Sequence, residues 1–491
     1  MPPPSVEVVG IVAVAIVAAT AIRQALSYLS LTWRGLLHVA YSHLAERYGP
    51  IMKFTTPAST FLVLSSAEVV QELLDKRGSI SGDRPPMHMA TLTEWGWGFG
   101  IMRYGSEWRA RRRIAQQYFD KRAIPRYELQ TTRITHRLIR SLSDTPEMFM
   151  QHIRHASAFN ILRITYGIDV ETGDDPYVKL ADHAMEVFAA VVLPGVWPVD
   201  WIPALKYLPA WFPGAYFKRY AEEHKKYPIN MRDVPYAWTK SQMEQGIAIP
   251  CLVSESLLTD SGVSNELDKV VRDAAGFMYL GGVDTVAATV QAFLLAITLH
   301  PSVQRAAQEE LDRVVGLDRL PTFSDRESLP YIEAIILEVL RLYSPAPLGM
   351  PHALEEDDVY NGMYLRKGTM LVANAWAILH NPQEYPNPHS FSPDRFIHNG
   401  RIDKTVQDPR DHIFGYGRRI CPGIHFADAT LFIQIATILA CFEITKEVEN
   451  GAEITPSGQF QHSALSAPLP FRCSIKPRSE KMMLLVAQNL E

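Results

Sequence analysis

Phe414-Gly-Tyr-Gly-Arg-Arg-Ile-Cys421-Pro-Gly423, followed by the apolar run Ile424 to Phe442, is the stretch on which the fold turns. Glycines at 415, 417 and 423 permit a tight turn whose backbone can approach a flat cofactor. If Cys421 binds iron, N–H groups beside the start of the next helix can point at its sulfur and stabilise a thiolate. Phe414 can shield that sulfur from water, and Arg419, two residues away, can reach an anionic propionate. A thiolate ligand pushes electron density onto iron and favours O–O cleavage. A lone cysteine in a Gly-rich turn is more often a buried structural residue. Phe, Gly, Arg, Cys and Gly together at the spacing FxxGxRxCxG shift the reading to an iron ligand.

This loop resembles the haem-binding signature of the cytochrome P450 superfamily. The stretch FGYGRRICPGIHFADA is most similar to fungal microsomal members from natural-product pathways, and the resemblance spans residues 40 to 480. Further motifs stand upstream in the family's order. Glu338-Val-Leu-Arg341 has i,i+3 spacing, which lets the two charges meet on a helix. Glu310-Leu-Asp-Arg313 has the same form and reads as a surface ion pair; order selects Glu338, because Pro393-Asp-Arg-Phe396 and then the cysteine loop follow it. The resemblance implies that Glu338, Arg341 and Arg395 form a buried charge network that holds the segment beneath the haem, a structural role.

Ala275-Gly-Phe-Met-Tyr-Leu-Gly-Gly-Val-Asp-Thr285 lies in a long apolar helical stretch. Each mid-helix glycine costs about 1 kcal/mol relative to alanine, so Gly281 and Gly282 suggest a close approach there. A helix-packing notch with a solvated aspartate would read the same way. The family resemblance makes the glycines an oxygen-binding kink and Asp284-Thr285 a proton-delivery pair, with water held by Thr285 and Asp284 as relay. Val286 stands where relatives often carry Thr or Ser. Trp108-Arg-Ala-Arg-Arg112 is similar to the family's WxxxR helix, which implies that Trp108 and Arg112 bind a haem propionate. Arg109, Arg111 and Arg113 point elsewhere and make a positive patch suited to an acidic electron donor. His352 matches a further propionate ligand, although a single His is as often a plain core residue.

The rest of the chain is consistent with this reading. Helical periodicity runs through Arg133 to Leu142, Leu267 to Leu299, Val303 to Val315 and Tyr331 to Leu342, with strand-like pieces at Ile51 to Phe54, Thr60 to Leu64 and Met370 to Ala373. The expected fold is therefore mainly α with a small β portion, the cytochrome P450 fold, as a single large catalytic domain behind an N-terminal membrane anchor. Val8 to Ile22 is apolar and uncharged, and Arg23 and Arg34 follow it. That arrangement argues for an anchor over a cleaved signal peptide and keeps the body cytosolic, on the endoplasmic reticulum membrane. The expected division is anchor 1–22, linker 23–45 and catalytic domain 46–491; the linker lacks the proline-rich hinge usual in anchored relatives. Four cysteines, at 251, 421, 441 and 473, fall in no disulfide or zinc-cage spacing, and all but Cys421 read as small apolar residues. The net charge of -5 gives no hint of nucleic acid.

Two stretches break the soluble pattern: residues 190 to 217, rich in Pro and Trp, and residues 84 to 104, with Met87, Met89, Trp95, Trp97 and Phe99. Both read either as loops on the core or as a substrate-access rim that touches lipid. The resemblance places residues 84 to 104, Phe277, Val283, the turn Ala346 to Pro351 and the loop near Phe460 around the substrate. Those segments carry aromatics, Met and few charges, which suits a bulky neutral molecule. The implied function is insertion of one atom of O2 into a hydrophobic substrate, a secondary metabolite such as a terpenoid, with polycyclic aromatics or steroids as incidental substrates. Its cofactor is heme b with Cys421 as axial thiolate, and NADPH-cytochrome P450 reductase supplies electrons, since the chain has no flavin or dinucleotide fingerprint. Two rivals stand beside it: a haem-thiolate isomerase or dehydratase, against which Thr285 speaks, and a non-catalytic haem sensor, which needs no acid–alcohol pair.

Overall fold

The computed structural model describes residues 37–55, 60–170, 175–192, 196–258, 264–461 and 465–489. The proposed anchor at 1–22 lies outside these residues. The part of the expected linker that is described belongs to helix α1 (Leu37–Tyr48), which buries Ala40 and Tyr41 against the body.

Strands β1 (Ile51–Thr55) and β2 (Thr60–Leu64) form an antiparallel pair. A long helical excursion comes next: α2 (Ser106–Phe119), α3 (Glu128–Asp144), α4 (Phe149–Tyr166), α5 (Pro176–Val192), α6 (Lys226–Glu244), α7 (Asn265–Leu299), α8 (Pro301–Val314) and α9 (Pro330–Leu342). The chain then returns through β3 (His352–Ala353) and β4 (Met370–Ala373), before α10 (Ile424–Cys441) closes the core. The sheet order is β1-β2-β4-β3, with β2 and β4 parallel and Phe61 opposite Met370. Parallel neighbours need a crossover, and here the helical body supplies it.

Helix α7 is the axis. Ser264 caps it by accepting the Leu267 N–H, and Glu266 and Asp268 complement its positive end. It is 35 residues long; one apolar cluster takes its first half, from Val271 to Val283, and another its second half, from Val286 to Ile297. Among the described residues, α7 and α10 are long and apolar enough to cross a membrane, but both are mostly buried inside the protein. Apolarity on every face therefore reflects a core position.

Glu338 and Arg341, one turn apart on α9, are fully buried and joined by two hydrogen bonds of 2.7 and 2.8 Å. Arg341 also donates to the carbonyls of Leu379, Pro388 and Ser390. Arg395 reaches Glu338 at 3.1 Å and the carbonyls of Pro386 and Ser390. The cluster thus binds the irregular segment 379–395, whose carbonyls have no ladder of their own, to a core helix. Glu310 is a correction to the sequence reading. It is buried, not a surface partner of Arg313, and its carboxylate accepts the N–H groups of Tyr331 and Ile332 at the start of α9.

The two unusual stretches part company. Met89 and Trp95 are fully buried, and Trp95 packs on Trp97 and Phe188, so residues 84 to 104 are core and cavity wall. Between Val196 and Tyr216, Trp197, Val199 and Ala215 are buried, but Ile202, Tyr207, Trp211 and Phe212 face outward, Tyr207 and Trp211 each at 79% exposure. Cys251, Cys441 and Cys473 are buried and free, as the small apolar reading expects.

Candidate active site

The cysteine loop folds back on itself. Gly415 and Gly417 have φ of 79° and 52°, and the Cys421 N–H donates to the Phe414 carbonyl at 2.7 Å. Gly423, the N-cap of α10, turns its N–H to the Cys421 sulfur. Burial pushes the thiol up, while that N–H and the nearby Arg112 draw it back. A free Cys421 thiol therefore keeps its proton, and only a bound metal removes it. Its accessible face opens on a cavity of about 2470 Å³ bordered by α2, α7, β3 and the start of α10.

Three buried arginines line the same cavity. Arg84 donates to the carbonyls of Gly100, Met350 and Pro351, and Arg112 to the Ile420 carbonyl at 2.6 Å. Arg419 donates to the Gly82 and Phe99 carbonyls and lies over the Trp108 ring at 4.5 Å, and its Nη2 has no partner. Among the described residues no carboxylate is hydrogen-bonded to any of the three guanidinium groups. Asp83, whose charge acts on Arg84 and Arg419, has its carboxylate bonded to Arg103 and the Tyr104 N–H. Burial, and then the charge of Arg419, hold Arg84 well below the usual arginine range. Burial, with Arg112 adding and Asp83 opposing, lowers Arg419 to about 10. Buried like charges with an orphaned donor call for an anion. The two propionates of a haem whose iron sits on Cys421 meet that need, so the residues fit the group.

His352 joins the cluster with a restriction. Its Nδ1 lies 2.9 Å from the Ser81 carbonyl and must donate to it. Burial, then Arg84, holds the ring well below the usual histidine range. In the neutral ring Nε2 is a bare acceptor, so His352 serves a propionate only after gaining a second proton. Arg84 carries no motif and escaped the sequence reading; only the chain path brings it beside Arg419. Arg111 is a correction. It is buried and paired with Asp273 at 2.8 Å, because α2 turns it toward α7, which leaves Arg109 and Arg113 as the exposed members of the patch.

On the opposite wall, Phe277, Gly281 and Thr285 recur every four residues along one face of α7. The Gly281 Cα faces open space, whereas a Cβ on Gly282 would meet Ile161 at 2.6 Å. The two glycines thus do different things: one opens the cavity, and the other lets α4 approach. The expected kink does not interrupt α7, which runs unbroken; Thr285 Oγ1 donates to the Gly281 carbonyl at 2.8 Å. Asp284 lies behind, buried and paired with Arg154 at 2.8 Å; Arg154 also holds Asp182 at 2.8 Å. Burial raises Asp284 to about 6, Arg154 opposing and Asp182 adding, and one of its carboxylate oxygens has no partner. Arg154 and Asp182 come from α4 and α5 and carried no sequence signal. Of the segments expected around the substrate, Phe277 and the turn Ala346 to Pro351 line the cavity. Val283 faces the core on the far side of α7, and Phe460 stacks on Tyr343, so neither belongs to the wall.

Helices wrapped around a cysteine loop, with a cationic cradle on one side and an alcohol on the other, define a haem-thiolate enzyme. The Cytochrome P450 family profile matches residues 24–472. The chain belongs to the cytochrome P450 family and is a haem-thiolate monooxygenase. It is 40% identical over 445 residues to cytochrome P450 monooxygenase ppsD of Aspergillus oryzae, covering 90% of this chain and 84% of that one. It is 38% identical to tryptamine 4-monooxygenase of Psilocybe cyanescens, covering 89% and 87%. A zebra fish cytochrome P450 solved with progesterone superposes with a TM-score of 0.73 at 23% identity, covering 90% of this chain and 99% of that one. The family carries a haem on a cysteine thiolate, draws electrons from a reductase partner and acts with O2 on hydrophobic substrates.

Proposed function

We propose that this enzyme inserts one oxygen atom from O2 into a hydrophobic, uncharged secondary metabolite such as a terpenoid, with polycyclic aromatics or steroids as incidental substrates. The observation that carries the reading is the apolar lining of the cavity, which includes Phe99, Phe188, Phe277, Met185 and Met350. A charged substrate held there without a counter-charge would cost several kcal/mol. Cys421 would hold the iron of heme b, which when bound would supply the oxygen chemistry. Trp108, Arg112, Arg419 and, once protonated, His352 hold the propionates, with Arg84 joining them; Phe414 covers the sulfur. Thr285 holds a proton at the cavity face and Asp284 replenishes it; Gly281 keeps the space clear and Gly282 seats the helix.

Electrons come from NADPH-cytochrome P450 reductase, docked near the exposed Arg109 and Arg113. Residues 1–22 anchor the chain in the endoplasmic reticulum membrane, and the catalytic domain, 46–491, stays in the cytosol. The exposed Ile202, Tyr207, Trp211 and Tyr216, with Lys206 among them, suit contact with lipid and its headgroups.

One observation favours a second reading. Asp200 is the single carboxylate among the described lining residues, and a relative is named for tryptamine, so a cationic amine is the alternative substrate. Two measurements test these readings. Cys421→Ala should abolish the red-shifted band of the reduced carbon monoxide complex; survival of the band overturns the ligand assignment. A panel of terpenoids, steroids, polycyclic aromatics and amines, read by spectral shift and product mass, decides the substrate. Turnover of amines alone, lost in Asp200→Asn, would replace the first reading with the second.

A further inference from the structure

Residues Gln71–Lys76 form a π-helical turn that continues the helical turn Ala67–Val70. One extra residue in a helix rotates every later residue by about 100°, and such turns recur at functional sites. Here the widened turn brings Leu74 and Asp75 against the cysteine loop. The Asp75 carboxylate accepts the Gly417 N–H at 2.6 Å. The Leu74 carbonyl closes on the same residue, since a Cβ at Gly417 would stand 2.3 Å from that oxygen. Two residues on, Arg419 Nε donates to the carbonyl of Gly82 at 2.6 Å. The short turn Gly417–Arg419, which delivers Cys421, is thus pinned at both ends to residues 74–82. Among the described residues, Asp75 and Arg112 are the two side chains from outside that bond the backbone of the loop 414–421. Asp75 is exposed, yet burial still raises its carboxyl and the Gly417 N–H draws it back.

We propose that Asp75 is a positioning residue for the Cys421 thiolate: its carboxylate holds the Gly417 N–H, and through it the turn that places the sulfur. The inference rests on Cys421 being the haem ligand. A residue that only stabilises the fold would lower the melting temperature without a special effect on the iron–sulfur bond. Asp75 acts on that bond while the fold persists.

The experiment uses the full-length, haem-loaded protein in detergent with mild urea. It follows the rate at which the red-shifted band of the reduced carbon monoxide complex gives way to the blue-shifted species that has lost its thiolate. Asp75→Ala should convert about tenfold faster, the size expected for losing one hydrogen bond to a charged group. Asp75→Asn keeps an oxygen acceptor and should stay within about twofold. Asp325→Ala serves as the control, because Asp325 is bonded to Arg319 and Thr322, away from the loop. Conversion of Asp75→Ala no faster than this control overturns the proposal. Should Asp75→Ala not fold, amide hydrogen exchange on the wild type decides: the Gly417 amide should exchange more slowly than that of Arg418, and equal rates overturn the anchor. A wild type with no red-shifted band overturns the ligand reading itself, a result distinct from failure of the anchor.

Discussion

Asp284 holds a proton more readily than an ordinary aspartate, because burial raises it from 3.8 to about 6. An acid raised in the folded state favours folding while it is protonated, so its contribution is full below about 3.8 and is lost as pH rises through about 6. At neutral pH Asp284 is a carboxylate kept in place by Arg154, close to taking up a proton. Arg154→Ala removes the opposing cation, and the pH at which Asp284 loads its proton should move upward. The profile of product formed per NADPH should shift with it; an identical profile in the variant counts against the relay. Thr285→Ala should leave the haem spectrum intact and raise hydrogen peroxide release several-fold, because the proton is no longer held at the cavity face. The ratio of product to NADPH consumed is the measurement. Single residues also differ behind a shared motif. Glu310 and Glu338 have the same ExxR form, yet Glu310 caps a neighbouring helix and Glu338 anchors an irregular segment. Spacing along a helix sets which charges can meet, and burial decides what they meet instead.

Among the elements, α7 carries two adjacent glycines with opposite duties. Gly281→Ala meets nothing within 4 Å and gains helix propensity, so it should stabilise the fold by about 1 kcal/mol. Its methyl group nevertheless enters the cavity beside Thr285, and turnover should fall. Gly282→Ala presses on Ile161 and should destabilise by about 1–3 kcal/mol, as overpacked cores do. Thermal unfolding of the two variants should therefore move in opposite directions. If both are destabilised alike, the division of roles is wrong. The course of α7 was legible from its apolar run, Leu267 to Leu299, because helical periodicity is local. The division between Gly281 and Gly282 was not, because it depends on where α4 lies.

Across the molecule as a whole, the outward-facing side chains between Val196 and Tyr216 adjoin the cavity mouth, where Val196, Asp200 and Pro203 line the wall. A chain lacking residues 1–22 should keep its haem spectrum and still sediment partly with anionic vesicles. Adding Tyr207→Asp and Trp211→Asp should abolish that residual binding. Sedimentation unchanged by the two aspartates would show that this surface does not meet lipid. The linear order of motifs was enough to assign the family, the helical body and the candidate ligand, because these depend on local spacing: FxxGxRxCxG around Cys421, ExxR at Glu338, and Asp284-Thr285 after paired glycines. Tertiary structure alone decided which charges share the cavity. Arg84 from one segment and Arg419 from another converge without an acid; Arg111 turns away to Asp273, one residue before Arg112; and Asp75 reaches Gly417 across the fold. The physical reason is that burial strips water from these groups. Their chemistry is then set by neighbours from distant parts of the chain, which no local pattern records.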